Sequence, residues 1–228
     1  YFDKKITTAV NNSYELAKNY VQDVRNKIES DIVMIAFDIN KERVESVNNK
    51  SSPIADSKIN EFLLTKPLNL KATTVFEDAC INSNFLVVAT PTNYDTKTNQ
   101  FDTSTVRKII SDAFSINPSL YVVIKSTIPI GFTNKIRKET NNKNICFSPE
   151  FLREGRALED NLYPSRIIMG DNNENARTFA NLLSESAAKS NDEISKLFLT
   201  SGEAEAIKLF SNTYLAMRVA FFNELDSY

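Results

Sequence analysis

The sequence predicts an α/β fold, a mostly parallel sheet with helices on both faces, and three observations carry that reading. Short β-rich runs alternate with amphipathic helical runs along the chain. Residues 85–89 and 120–124 are continuously apolar, as strands covered on both sides must be. Between them, residues 103–114 have the length and pattern of a crossover helix.

Taken in order, a first strand is expected at 5–10. A helix follows over 13–29, where Ala17, Val21, Val24 and Ile28 recur at helical spacing. Residues 32–37 read as a buried strand ending at Asp38, with short helices at Lys41–Asn48 and 57–64. Residues 90–101 and 127–131 read as loops at the carboxyl ends of strands, where open α/β sheets bind ligands. The series continues with a helix at 133–140, strands at 145–147 and 166–169, a helix at 174–186 and a strand at 197–199. From Glu203 to Tyr228 one long helix is expected, apolar to its last turn and so packed on something beyond itself. The organisation expected is one domain over 1–200 and a connecting helix over 201–228.

Composition narrows the chemistry. With 42% hydrophobic and 25% charged residues, the 228-residue chain has the balance of a soluble globular protein. A net charge of −2, both signs interspersed, offers no basic field for nucleic acid. No apolar run approaches the roughly 18 residues that a membrane span needs. Two cysteines, Cys80 and Cys146, lie in apolar stretches without metal or disulfide spacing, which suits a reducing, cytoplasmic setting. Histidine is absent, so acid–base work falls to Glu, Asp, Lys, Tyr or water, and no metal site is expected.

The densest stretch runs from Phe147 to Gly170 and begins Phe-Ser-Pro-Glu-Phe-Leu-Arg-Glu-Gly-Arg. Ser148 before Pro149 is a good helix start, and a helix there puts Glu150 and Glu154 on one face beside Arg153 and Arg156. Two carboxylates among cations suit a polar substrate and proton movement; spacing alone fits a capped surface helix equally well.

This stretch resembles the signature of the UDP-glucose dehydrogenases, within the UDP-glucose/GDP-mannose dehydrogenase family. Three further stretches resemble the same family in the same order: Val87 to Asp95 around Ala-Thr-Pro-Thr, Ile124 to Thr133 around Lys-Ser-Thr-Ile-Pro-Ile-Gly-Phe, and Glu203 to Tyr228. The resemblance covers most of the chain from about Ile32 onward. It implies a Rossmann-like NAD-binding domain followed by the start of the family's central helix, through which subunits pair as homodimers.

The family's residue roles carry over by motif. Lys208 would stabilise charge developing on the sugar oxygen, with Asn212, four residues on, orienting the same region. Thr127 would hold an active-site water and meet the nicotinamide side. Glu150 would interact with that water, and Glu154 would stand at the cofactor–substrate boundary. Phe151, Leu152 and Arg153 would bind a UDP-sugar, and Thr90 would contact the cofactor. Asp38 is placed to bind the adenosine ribose, with Arg43 a nearby cation; as a strand-end residue, Asp38 is also a candidate helix cap. The reaction implied is oxidation of the C6 alcohol of UDP-glucose to a carboxylate by two successive hydride transfers to NAD, through covalent capture by a cysteine.

Two features depart from the family. Its Gly-x-Gly-x-x-Gly turn is replaced by Val10-Asn11-Asn12-Ser13-Tyr14-Glu15-Leu16, and the four glycines of the chain lie at 131, 155, 170 and 202. Glycines in that turn let the backbone approach a pyrophosphate, and Glu15 would repel one. The family's Gly-Gly-x-Cys-x-x-Lys-Asp segment, in its C-terminal UDP-sugar domain, is not present either. The expectation is therefore the N-terminal portion of such an enzyme, inactive by itself. The alternative is a non-catalytic nucleotide-sugar-binding or assembly module without NAD binding.

Overall fold

The computed structural model describes residues 32–54, 56–95, 100–153 and 155–228. The strand expected at 5–10, the helix at 13–29, the glycine-free turn between them and Glu154 lie outside the described residues. The chain divides into two compact units between Phe76 and Glu77.

In the first unit, β1 (Met34–Phe37) runs parallel to β2 (Leu70–Thr73), with Met34 opposite Leu70 and Phe37 opposite Thr73. Two helices connect them, α1 (Lys41–Asn48) and α2 (Ser57–Thr65). Each starts on a side-chain cap: Asn40 accepts from the N–H groups of Glu42 and Arg43, and Asp56 from those of Lys58 and Ile59. Phe37 meets Phe76 edge to face at 5.1 Å between centroids.

The short helix α3 (Phe76–Cys80) leads into the second unit, built on a parallel sheet of order β3 (Phe85–Val88), β6 (Tyr121–Ile124), β7 (Ile145–Phe147). The loop expected over 90–101 contains a small antiparallel pair, β4 (Tyr94–Asp95) and β5 (Gln100–Phe101). Helix α4 (Ser104–Ile116) is the crossover, and α5 (Phe132–Glu139) follows β6. After β7 come α6 (Ala157–Leu162), β8 (Arg166–Met169), α7 (Glu174–Ser186) and β9 (Ser195–Phe198), with β8 and β9 paired in parallel. The chain ends on α8 (Ser201–Asp226).

The strands sort their side chains alternately between two apolar layers. Val122, Ile124, Ile145, Phe147 and Ile168 join α4 and α5 on one side, with Ala204 of α8. Tyr121, Val123, Cys146, Ile167 and Met169 join Ala176, Phe179 and Ala180 of α7 on the other. Burial on both faces explains why these strands read as unbroken apolar runs. Gly170 lets α8 approach: a Cβ there would stand 3.0 Å from the Phe147 carbonyl oxygen and 3.1 Å from Ser201 Cα. The start of α8 is fixed by a capping box in which Thr200 and Glu203 satisfy each other's backbone N–H.

One sequence expectation fails. Ser148 and Pro149 do not begin a helix; the next helix begins at Ala157. Ser148 Oγ is engaged by Lys125 Nζ at 3.0 Å instead of capping, and the Glu150 carboxylate turns back to accept the Leu152 N–H at 3.0 Å. Glu150 thus projects from an irregular segment, not from a helical face.

Candidate active site

The segment after β7 is gripped from two directions. Ser148 N–H donates to the Ile124 carbonyl at 3.0 Å, and its hydroxyl accepts from Lys125. From above, Lys208 on α8 donates to the Glu150 carbonyl at 2.5 Å and reaches Glu150 Oε1 at 3.3 Å. Lys208 is only 7% exposed, so its stem is packed and its charge is held beside the Glu150 carboxylate. The same amine lies 5.5 Å from the Phe151 ring, which Arg166 stacks at 4.5 Å. Arg153 forks onto Asp160, with Nη2 at 2.5 Å from Oδ1, and that hydrogen bond holds the Asp160 carboxyl down at about 2.

A cavity of about 470 Å³ is lined by Lys125, Glu150, Phe151, Leu152, Arg153 and Arg166 among others; Lys208 is not part of its lining and reaches it through Glu150. Its volume suits a small polar ligand. Burial pulls the Lys125 amine down to about 8; the Glu150 charge opposes that fall and the Lys208 charge adds to it.

A second group of polar residues gathers at the carboxyl ends of β3 and β6. Thr92 Oγ1 donates to the Thr127 carbonyl at 2.7 Å, and Ser126 Oγ donates to the Thr90 carbonyl at 2.7 Å. The Thr90 hydroxyl is itself buried without a hydrogen-bond partner among the described residues. An orphaned hydroxyl is costly unless something docks on it, and that fits a ligand group arriving at this edge. The turn bearing Thr127 is tied to α8 through Glu205, which is 1% exposed. Glu205 Oε2 accepts from Gly131 N–H at 2.5 Å, and Oε1 from Thr133 N–H and Oγ1 at 2.8 and 2.6 Å.

The structure therefore brings Glu150, Phe151, Leu152, Arg153 and Lys208 together, and puts Thr90 beside Thr127. Asn212 lies one turn beyond Lys208, exposed, and does not line this cavity. In the first unit, Asp38 Oδ2 meets Arg43 Nη1 at 3.4 Å, and Oδ1 accepts the Asn40 N–H at 2.8 Å. The cap of α1 is Asn40, and Asp38 is a half-buried carboxylate at a strand's carboxyl end. Sequence reasoning missed Lys125, Asp160, Arg166 and Glu205. Lys125 had a signal, a lysine closing an apolar strand inside a motif already singled out. Glu205 had none beyond its place on α8.

A parallel sheet covered on both faces, with a lysine, a carboxylate and unpaired hydroxyl chemistry at its carboxyl edge, defines a nucleotide-cofactor domain of the Rossmann type. The comparisons narrow that class. Residues 23–187 match the family model described as UDP-glucose/GDP-mannose dehydrogenase family, NAD binding domain. The chain belongs to this family. It is 48% identical over 200 residues to a UDP-glucose 6-dehydrogenase of Campylobacter jejuni, covering 88% of this chain and 50% of that one. A UDP-glucose 6-dehydrogenase of Streptococcus pneumoniae is 48% identical over 198 residues, covering 84% and 50%. Among solved structures, a UDP-glucose dehydrogenase of Pyrobaculum islandicum superposes with a TM-score of 0.71 at 27% identity, covering 84% of this chain and 46% of that one. A GDP-mannose dehydrogenase of Pseudomonas aeruginosa, at 22% identity and a TM-score of 0.73, shares the fold. The chain spans about half the length of the curated relatives it matches.

Within the second unit, the Thr90 hydroxyl, without a hydrogen-bond partner among the described residues, is a polar group at the end of β3 of the kind a cofactor of this domain would engage.

Proposed function

We propose that this chain is the NAD-binding half of a UDP-glucose 6-dehydrogenase, an oxidoreductase that converts the C6 alcohol of UDP-glucose to a carboxylate. The observation that carries the reading is the contact of Lys208 with Glu150, whose segment through Phe151, Leu152 and Arg153 lines the cavity. NAD, when bound, would accept the hydride that leaves the sugar carbon.

The chain's own residues then have definite tasks. Lys208 stands ready to stabilise negative charge on the sugar oxygen, with its ammonium already desolvated and aimed. Glu150, held against it, takes or relays the alcohol proton through water. Phe151, Leu152 and Arg153 hold the nucleotide sugar. Glu154 is assigned to the cofactor–substrate boundary and Asn212 to orienting the sugar, both by motif. Thr127 and Thr90 serve the cofactor side; Asp38 and Arg43 serve the adenosine end. Neither cysteine suits covalent capture of an aldehyde. Both are buried, and burial pushes the Cys146 thiol up to about 12, so it holds no nucleophilic thiolate near neutral pH.

Pairing of two copies through α8 is part of the proposal. Phe210, Tyr214, Met217, Phe221 and Leu225 are all more than half exposed along it, a stripe that a second copy would cover. Two free cysteines and a nucleotide-sugar substrate suit the cytoplasm. Among the described residues no helix is long and apolar enough to cross a membrane.

The test is NADH absorbance on adding UDP-glucose and NAD to the full-length protein. Lys208→Met should lower kcat by about 100-fold or more while UDP-glucose binding changes little. Loss of binding alone would refute the charge-stabilising role. The glycine-free turn at 10–16 favours a second reading, a nucleotide-sugar-binding module without redox activity. Saturable UDP-glucose binding with no NAD binding at millimolar concentration would select it.

A further inference from the structure

Lys125 follows the last residue of β6, and its place in the sheet is fixed before its side chain is considered. Its own N–H and that of Ser126 both donate to the Val88 carbonyl, at 2.8 and 3.1 Å, pinning this point between the ends of β3 and β6. The side chain then passes under the signature segment to Ser148 Oγ. Ser148 therefore grips the end of β6 twice, through its N–H on the Ile124 carbonyl and its hydroxyl under the Lys125 amine. Two residues on, the Glu150 carbonyl is taken by Lys208. The segment carrying the site's carboxylate is thus suspended between two amines from different elements.

We propose that Lys125 is a positioning residue of this site, whose ammonium form holds the Ser148–Glu150 segment so that Glu150 stays aligned with Lys208. The proposal rests on the reading of this cavity as the nucleotide-sugar pocket. The ammonium donates to Ser148 Oγ in a charge-assisted hydrogen bond; a neutral amine holds the hydroxyl less firmly and adds no positive charge to the pocket floor. The charged and titratable groups that act on the amine are Glu150 from the signature segment, Cys146 from β7 and Lys208 from α8. Glu150 favours the ammonium and Lys208 disfavours it, while burial, the largest influence, places the loss of its proton at about 8. The grip on Glu150 should then slacken across the mildly alkaline range, where an ordinary lysine stays charged.

The experiment uses the full-length protein. Lys125→Met keeps the length of the side chain without its charge, and Lys125→Arg keeps charge and donors. We expect the Met variant to lose about 10- to 100-fold in kcat, the scale of a misplaced catalytic group, with KM for NAD within about 2-fold. The Arg variant should recover most of that loss. UDP-glucose affinity, measured by calorimetry, should weaken from pH 7 to 9 in the wild type. It should be flat in the Met variant and weaken only at higher pH in the Arg variant. Equal losses in both variants, or wild-type kcat and pH dependence in the Met variant, would overturn the proposal. If the Met variant fails to fold, the upward displacement of the pH profile in the Arg variant decides, and an unmoved profile overturns it. A wild-type protein that neither binds nor oxidises UDP-glucose would instead sink the reading of the pocket. If it binds without oxidising, the calorimetric arm still tests Lys125 directly.

Discussion

Replacing Glu205 with Ala should be among the most damaging single changes in the second unit. Helix α5 starts at Gly131, in a left-handed conformation with φ 88°, and has no cap from its own chain neighbours. Glu205 supplies the cap from α8, accepting two backbone N–H groups and the Thr133 hydroxyl in a site where both Glu205 and Thr133 are almost wholly buried. Alanine leaves three donors unpaired, each costing about 1–3 kcal/mol, and removes a negative charge from a helix N-terminus worth about 0.3–1 kcal/mol more. A water entering the vacated space recovers part of this, so a net loss of about 4 kcal/mol is expected. With a urea dependence of about 2 kcal/mol per molar, the midpoint should fall by about 2 M. Glu205→Gln keeps one acceptor but turns an amide donor toward another, and should lose about half as much. Urea unfolding followed by circular dichroism measures both, and hydrogen exchange at the Gly131 and Thr133 amides should quicken in parallel. A midpoint shift below about 0.3 M, or unchanged exchange at those two amides, would mean that the clamp does not hold the helix in place.

Three further outcomes follow from the packing. Burial lowers the Lys125 amine from 10.5 to about 8, so between those values the unfolded chain holds a proton that the folded one has lost, and this group's contribution to stability rises with pH. Lys125→Met should therefore be more stable than wild type at pH 7, by up to about 3 kcal/mol, with the difference shrinking toward pH 10 in paired urea titrations. Cys146 behaves oppositely: its thiol stays protonated to about 12 when folded but ionises near 9 when unfolded, so stability from this group falls above pH 9. Folded protein should react with a thiol reagent at neither Cys80 nor Cys146 on a timescale of minutes, and both should react at once in urea. Gly170→Ala would press a methyl against the Phe147 carbonyl and Ser201 Cα, backbone atoms that cannot swing aside. A loss of about 1–3 kcal/mol in thermal or urea unfolding is expected.

How legible the molecule was depends on which force placed each part. β6 announced itself in the apolar run at 120–124, because a strand covered on both faces must be apolar throughout; helices Lys41–Asn48 and Glu174–Ser186 form where expected, each held at its start by an asparagine cap, Asn40 and Asn173, that sequence reasoning missed. β2 was not legible, since Leu70–Thr73 is four residues with a lysine in it and becomes a strand by pairing with β1. Helix α6 was hidden for the opposite reason: Ser148 and Pro149 form the better local start, and a tertiary hydrogen bond from Lys125 takes the serine away. Of the candidate site, Glu150, Phe151, Leu152, Arg153 and Lys208 could be singled out because they sit in contiguous motifs. Glu205 and Asp160 act through partners 72 to 74 and seven residues away, which no local pattern carries.

The beginning of α8 shows how Lys208 is held for the role proposed for it. A free lysine side chain has about 2 kcal/mol of rotamer entropy, which a loosely held amine would lose each time it met a charge. Here three fastenings precede it: the Thr200–Glu203 box at the start of the helix, Ser201 Oγ on the Gly170 carbonyl at 2.8 Å, and the Glu205 clamp on α5. Ala204 and Glu205 are buried, so the helix can neither slide nor turn without opening the core. Lys208 comes one turn later, its stem packed and its amine on the Glu150 carbonyl, with the ordering cost met in folding. From Leu209 onward, α8 instead exposes apolar side chains such as Phe210, Tyr214 and Phe221. One helix thus changes character along its length, from a rigid stub that holds an amine in place to a rod with exposed apolar side chains, the part proposed above to pair with a second copy. Substitutions at Phe210 or Phe221 should therefore change association without moving UDP-glucose affinity, which sedimentation and a parallel binding titration would distinguish.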